Sequence, residues 1–93
     1  MAMWKYTIQS GKALREAIYD GSTERTIQCL RQCYKELYDK MDKEDKEYYE
    51  YDIEDTLDIL TNYEEDPYDE DDLNYCLQDF YDICDSARAF ITL

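Results

Sequence analysis

The sequence predicts an all-α protein, a small helical bundle of three main helices and one short N-terminal helix in a single acidic domain spanning residues 1–93. The chain contains no Val, two Gly and one Pro, although 44% of its 93 residues are hydrophobic. Val suits strands, and Gly and Pro mark turns, so their scarcity disfavours a fold with many strands and turns. Apolar residues instead recur at intervals of three and four, which is typical of amphipathic helices.

The first predicted helix follows a short N-terminal segment. Trp4–Ile8 alternates weakly and is consistent with a short extended segment. Ser10 is the expected N-cap of a helix that reaches Tyr19. Asp20-Gly21 ends this helix, because Gly tolerates the left-handed cap conformation. The residues predicted to face inward are Leu14, Ala17 and Ile18.

The second helix is predicted to begin after the N-cap Ser22 and to run for about five turns. Most of the basic residues lie on or beside it, namely Arg25, Arg31, Lys35 and Lys40. Its apolar stripe consists of Ile27, Leu30, Tyr34, Leu37, Tyr38 and Met41.

The third helix is predicted from Asp42 to Tyr63 and the fourth from about Asp69 to Ala89, separated by a break at Pro67. The inward stripe of the third helix is Tyr49, Ile53, Leu57, Leu60 and Tyr63. That of the fourth is Leu73, Cys76, Leu77, Phe80, Ile83, Cys84 and Ala87. Phe90–Leu93 could pair with the N-terminal segment or finish the last helix, and we expect the second.

Negative charge is concentrated in the second half of the chain. The net charge is −14; residues 1–41 carry seven basic and five acidic side chains, a net of +2, and residues 42–93 carry three and 19, a net of −16. Such a surface repels phosphate, which argues against direct binding of nucleic acid or of an anionic membrane. It favours a basic protein as the partner.

The N-terminus predicts where the protein is located, and the location predicts the state of its cysteines. Residues 1–8 lack the basic stretch and apolar core of a signal peptide, and no run approaches the roughly 20 apolar residues of a membrane span. We therefore expect a cytoplasmic protein whose four cysteines are reduced thiols.

Metal binding is disfavoured at both candidate sites, the cysteine pairs and the acidic loop. Two helical cysteine pairs, Cys29 with Cys33 and Cys76 with Cys84, leave a four-thiolate zinc site or a disulfide as alternatives. However, Cys76 and Cys84 coincide with core positions, where free Cys packs as a small hydrophobe. The acidic loop from Glu64 to Asp72 lacks the Gly that an EF-hand requires. We expect buried thiols, no metal and no cofactor.

Catalytic activity is not indicated by any motif. The chain has no His, which is the commonest general base. Two glycines cannot form a Gly-rich phosphate loop. No carboxylate pair stands out from the general acidity, and we expect that the protein is not an enzyme.

The acidic, tyrosine-rich surface of the third and fourth helices is the predicted partner-binding site. Acids at helical spacing form a row with roughly 5–6 Å between neighbours, where like charges repel. A surface that is merely solvated normally mixes positive and negative charges, whereas this surface is almost wholly acidic. Partner binding is therefore favoured, and a merely soluble acidic surface is the alternative. A rigid carboxylate row can occupy a groove built for a nucleic-acid strand, and exposed Tyr can stack on Arg. The predicted site residues are Glu47, Tyr48, Glu50, Tyr51, Glu54, Asp58, Asp72, Tyr75, Asp79, Tyr81 and Asp82, flanked by Asp45, Asp52 and Asp55.

Three parts of the chain resemble a known class of proteins in general character: Tyr6–Ile8 with Ser10–Ile18, Asp66–Asp72, and Phe80–Asp85. With them, the sequence resembles small acidic inhibitors of phages and mobile elements in Gram-positive bacteria, including anti-CRISPR and anti-restriction proteins. The resemblance implies a DNA mimic that evades host defence by blocking DNA binding to an RNA-guided CRISPR nuclease. The basic first half departs from a uniformly acidic mimic and leaves room for a contact through the second helix.

Two alternatives belong to other classes of protein. One is an immunity or antitoxin protein that neutralises a cognate toxin nuclease, and the other is an acidic adaptor without a nuclease partner. Phage genes beside the coding sequence would favour the CRISPR inhibitor, and a toxin gene beside it would favour the immunity protein.

Overall fold

A computed structural model describes the backbone of residues 4–65 and 70–92 and the side chains of residues 4–62 and 73–92. In chain order the elements are β1 (Tyr6–Ile8), α1 (Gly11–Tyr19), α2 (Thr23–Lys40), α3 (Lys43–Glu65), α4 (Glu70–Ala87) and β2 (Ala89–Ile91). The helices have 9, 18, 23 and 18 residues, so the predicted all-α class is confirmed. The loop around Pro67, considered above as a calcium site, and the side chains of Tyr63 and Asp72 lie outside the described residues.

Helix α2 is the centre of the bundle. It packs against α1, β1, α3 and α4, and α3 packs in turn against α4. Tyr34 of α2 has no exposed surface, and its ring meets the buried Phe80 ring of α4 edge-on, with centroids 5.0 Å apart. The predicted stripes of α2, α3 and α4 are buried or partly buried wherever their side chains are described. On α2 and α3, Thr26, Cys33 and Thr56 are buried as well, outside the predicted stripes.

The turn between α1 and α2 follows the sequence prediction. Gly21 has a φ of +73°, the left-handed conformation expected at the end of a helix. The N–H groups of Gly21 and Ser22 donate to the carbonyls of Ile18 and Ala17, at 3.1 and 3.2 Å. The Ser22 hydroxyl then caps α2 by accepting from the N–H of Arg25 at 3.3 Å. Local signals therefore determine this connection.

The start of α1 is stabilised by a residue of another helix. Ser10 occupies the N-cap position, but its side chain makes no cap hydrogen bond. Its Oγ instead donates to Glu36 Oε1 at 2.7 Å, and the N–H groups of Gln9 and Ser10 donate to the same carboxylate at 2.8 and 2.9 Å. Lys40 Nζ lies 2.7 Å from Glu36 Oε2. Burial opposes ionisation of Glu36, but these bonds outweigh it and lower its pKa to about 2.

The prediction that Ile18 faces inward is wrong. Helix α1 packs through Gly11, Leu14 and Ala17, which are spaced three residues apart. Ile18 lies about 100° around the helix from Ala17, on the flank of this narrow contact, and remains exposed.

The prediction that the C-terminal segment finishes the last helix is also wrong. Helix α4 ends at Ala87, and Arg88 adopts a left-handed φ of 59°. β2 then pairs in parallel with β1, so that Ala89 lies opposite Tyr6. Pairing outweighs helix continuation here because it satisfies backbone groups while Ile8 and Ala89 are buried.

The sheet leaves room for no side chain at Gly11. A Cβ at this position would lie 2.8 Å from the carbonyl oxygen of Thr92 and would overlap the Ile91 side chain. The absence of a side chain at Gly11 thus lets the start of α1 approach the end of the sheet.

A charged cluster joins β1 to the start of α3. Asp42, the predicted first residue of α3, lies just before the helix, and its side chain accepts a hydrogen bond from the N–H of Asp45 at 2.9 Å. Lys5 Nζ lies 2.8 Å from Asp42 and 2.9 Å from Asp45, and the Tyr6 hydroxyl donates to Asp45 at 2.6 Å. The Lys5 bond lowers the pKa of Asp42, and the Tyr6 bond, followed by the Lys5 bond, lowers that of Asp45.

Replacing Glu36 by Gln should lower the free energy of unfolding by about 2 kcal/mol at neutral pH, because a hydrogen bond to a charged group contributes about 1.5–3 kcal/mol. Urea unfolding followed by circular dichroism measures this loss. Asp39→Asn removes an exposed charge from the same helix. This matched control should change stability by less than about 0.5 kcal/mol.

The contribution of Glu36 should also depend on pH. Its folded pKa lies below the ordinary value of 4.5, so the stabilisation is complete above that value and is lost as the pH falls towards about 2. The stability difference between the wild type and Glu36→Gln should therefore shrink between about pH 5 and pH 2. A difference that stays constant over this range would contradict the role given to the carboxylate.

The cysteines should differ in reactivity in the folded protein. All four are free thiols; Cys33, Cys76 and Cys84 are buried and Cys29 is half-buried. Burial raises the pKa of Cys33 and of Cys84 to about 12, which suppresses the reactive thiolate. We expect a thiol reagent to modify Cys29 first in the folded protein and all four cysteines after denaturation. Equally rapid reaction of all four in the folded state, or stoichiometric zinc in protein purified without added metal, would overturn this expectation.

Candidate partner-binding surface

The predicted row of carboxylates lies on the exposed side of α3. Glu47, Glu50, Glu54 and Asp58 are all exposed. Partial burial raises the pKa of Tyr38 on α2, and the charges of Glu50 and Glu54 raise it further, so the middle of the row borders α2. The spacing of three and four residues along one rigid helix keeps neighbouring carboxylates roughly 5–6 Å apart.

Helix α4 approaches α3 from the other flank. The hydroxyls of Tyr49 and Ser86 are 2.6 Å apart, and Thr56 Oγ1 donates to Asp79 at 2.8 Å. Tyr75 and Asp82 lie four residues before and three after Asp79, so they share this flank of α4. The predicted site is therefore divided between two sides of α3.

The exposed crest of α3 lies between these two sides. Tyr48 and Tyr51 expose 75% and 79% of their surface. Asp52 and Asp55, which were predicted to flank the row, are exposed on the same crest. The Tyr48 ring packs edge-on against the buried Tyr49 ring, at a centroid distance of 4.7 Å, which limits its motion. We call this surface the α3 face, and it consists of Glu47, Tyr48, Glu50, Tyr51, Asp52, Glu54, Asp55 and Asp58.

The α3 face is strongly negative, although the exposed Lys43 lies one turn before Glu47 on the same helix. Within the part of the chain whose side chains are described, none of its six carboxylates forms an ion pair. Ion pairs of Lys5, Arg25 and Lys40 lie elsewhere. Lys46, which is on α3 itself, has its ammonium group 5.3 Å from the centroid of the Tyr38 ring. The face therefore presents six negative charges and two exposed aromatic rings.

Asp79, a predicted site residue, is turned into the bundle. Its carboxylate accepts hydrogen bonds from the Tyr34 hydroxyl at 2.9 Å and from Thr56 Oγ1 at 2.8 Å. These donors belong to α2 and α3, so Asp79 links the three long helices.

Other predicted site residues also lie away from the α3 face. Tyr81 is 41% exposed on the flank of α4 opposite Asp79, where it borders α1. Asp45 is held by Lys5 and Tyr6. Asp82 accepts from Gln78 Nε2 at 3.0 Å and remains exposed. Asp52 and Asp55 are more central to the face than the α4 residues, although the sequence placed them at its margin.

No protein-family model, curated protein or solved structure matches this chain. No helix among the described residues is long and apolar enough to cross a membrane. In the same part of the chain, no group of three or more His, Cys, Asp or Glu side chains is placed to hold a metal ion. What the molecule can bind must therefore be judged from its own surface.

Replacing Asp79 by Ala should lower the free energy of unfolding by about 2–3 kcal/mol, because buried hydroxyl donors lose a charged acceptor. Asp82→Ala is the matched control on the same helix and should change stability by less than about 0.5 kcal/mol. Thermal or urea unfolding of both variants distinguishes them. Equal and small effects would show that Asp79 does not hold the helices together.

Proposed function

We propose that the protein binds the basic, nucleic-acid-binding cleft of a nuclease through the α3 face and thereby blocks access of the nucleic acid. The observation that carries the proposal is a rigid helix with two exposed tyrosines and six exposed carboxylates, none of which forms an ion pair with a described side chain. Like charges at this spacing destabilise the folded chain by a few tenths of a kcal/mol per pair, roughly. Binding to a cationic surface would remove that cost.

The geometry favours a cleft rather than a flat basic surface. Helix α3 packs against both α2 and α4, and its remaining side is exposed and carries the acidic residues. A convex acidic ridge fits a concave groove lined with Lys and Arg, as a nucleic-acid strand does. A carboxylate row along a helix can there take the positions of successive phosphates.

The tyrosines add contacts that a charge row alone lacks. Tyr48 and Tyr51 present flat rings with few rotatable bonds, so little conformational entropy is lost when they bind. Each can stack on an arginine guanidinium, while neighbouring carboxylates accept hydrogen bonds from the same group. Such pairs would slow dissociation, whereas the outer charges would mainly speed association.

The protein acts in this proposal as a cytoplasmic inhibitor without catalytic activity or cofactor. The resemblance to anti-CRISPR and anti-restriction inhibitors directs the first assays to guide-loaded CRISPR nucleases. A nuclease toxin with a cognate immunity protein would be inhibited through the same kind of surface. The first assay should therefore include both kinds of nuclease.

The test is competition between this protein and DNA for a nuclease that it binds. The variant is Glu54→Lys with Asp58→Lys, which reverses two exposed charges of the α3 face. Its control is Glu16→Lys with Glu24→Lys, an equal charge change on exposed residues of α1 and α2. We expect saturating DNA to prevent binding of the wild type. We also expect the α3 variant to lose about 30-fold or more in affinity, as for one hot spot of about 2 kcal/mol.

The outcomes separate the proposal from its alternatives. An unchanged affinity in the presence of DNA contradicts occlusion of the nucleic-acid site. Equal losses in the α3 variant and in the control would show a dependence on total charge alone. A loss confined to the control would place the contact on the basic side of the molecule, around α2.

A further inference from the structure

The two exposed tyrosine rings of the α3 face are enclosed by carboxylates. On a helix surface, the neighbours of a side chain are the residues three and four positions away. Around Tyr51 these neighbours are Glu47, Tyr48, Glu54 and Asp55. All of them are exposed, and Tyr51 itself exposes 79% of its surface. Every neighbour of Tyr51 on this surface is therefore an acid or the second ring.

Tyr48 has similar surroundings one turn earlier. Its neighbours at the same spacing are Glu44, Asp45, Tyr51 and Asp52. Glu44 and Asp52 are exposed, whereas Asp45 is already bound to Lys5. Each ring thus has an exposed carboxylate one turn before it and another one turn after it.

The lysines of α3 do not occupy the positions beside the rings. Lys43 lies five residues before Tyr48, and Lys46 lies over the ring of Tyr38 on α2, with its ammonium group 5.3 Å from the ring centroid. Among the side chains that the structure describes, none forms an ion pair with the exposed acids beside the two rings, which are Glu44, Glu47, Asp52, Glu54 and Asp55. A cation that uses these rings and acids together must therefore come from the partner.

Arginine fits this arrangement better than lysine does. A guanidinium group is planar and weakly hydrated, so it can lie flat on an aromatic ring. Its N–H groups lie in its own plane and then point outward, towards carboxylates on either side of the ring, each of which can accept two of them. The ammonium group of lysine is compact and strongly hydrated, and it has no flat surface to stack.

We propose that Tyr48 and Tyr51 each hold one arginine side chain of the partner, stacked on the ring and bonded to the carboxylates one turn away. This contact rests on the proposed function, because it names the partner's side of the same interface. The cleft that receives the α3 face then carries a pair of arginines at this point. The two rings are neighbours on one helix, so the two arginines must also be neighbours, as on one turn of a helix or at alternate residues of a strand.

The test compares octa-arginine with octa-lysine, two peptide probes of equal length and charge, in titrations of the whole protein followed by calorimetry. The titrations are made at about 0.5 M salt, where screening weakens the attraction between distant charges. We expect the wild type to bind octa-arginine about tenfold more tightly than octa-lysine, as two stacked rings together would provide.

Three variants identify the ring as the origin of this preference. Tyr51→Leu should reduce the ratio of the two affinities by about threefold, whereas Tyr51→Phe should preserve it, because Phe keeps the ring. Tyr19→Leu is the matched control, since Tyr19 exposes 91% of its surface on α1 and has Arg15 one turn before it. This control should leave the ratio unchanged.

Equal affinities of the wild type for the two peptides would overturn the arginine contact. Equal changes of the ratio in Tyr51→Leu and Tyr19→Leu, or a Tyr51→Phe variant that behaves as Tyr51→Leu does, would overturn it as well. The titrations involve neither a nuclease nor DNA. A nuclease that binds the protein equally well in saturating DNA would contradict the proposed function without changing the peptide result, so the two failures are distinguishable.

Discussion

The arrangement of the three long helices depends on one carboxylate that all of them share. Asp79 of α4 accepts hydrogen bonds from Tyr34 of α2 and Thr56 of α3, and the Tyr34 hydroxyl also donates to the carbonyl of Cys76 at 3.1 Å. A buried polar group must be satisfied or it destabilises the fold, so these partners restrict how α3 can rotate and slide. The rotation of α3 in turn determines which side chains form its exposed crest. The orientation of the α3 face is therefore a consequence of a bond network inside the bundle.

The ion pairs among the described side chains lie away from the α3 face, where the negative charge is concentrated. The basic residues that form ion pairs connect elements of the fold. Lys5 links the start of β1 to α3, Lys40 pairs with Glu36, and Arg25 pairs with Asp20 across the α1–α2 turn. Repulsion along α3 is balanced by the apolar core beneath it and by the polar contacts of Asp42 and Asp45 at its start. This separation leaves the α3 face strongly negative and the less acidic side, around α1, as a surface of different chemistry.

Much of the fold could be predicted from sequence because its signals are local. The stripes of α2 and α4, the Gly21 turn and the caps at Ser22 and Asp42 each depend on residues within one or two turns of one another. The mistakes concern contacts between distant residues. The Glu36 bonds to Gln9 and Ser10 span 26–27 positions, and β1 pairs with β2 across almost the whole chain. Helical periodicity carries no information about such pairs.

The candidate site was predicted in part for the same reason. Spacing placed Glu47, Glu54 and Asp58 on one exposed side of α3, since that depends on one helix alone. It could not reveal that Asp79 turns inward or that Tyr81 lies on the far flank of α4, because both depend on how α4 is rotated against its neighbours. Recognition of a cationic cleft by the α3 face is tested through the association rate constant with a nuclease that the protein binds, measured as a function of salt concentration. We expect this rate constant to fall steeply with rising salt in the wild type and to fall less steeply in Glu54→Lys with Asp58→Lys. A rate constant that does not change with salt in the wild type would contradict it.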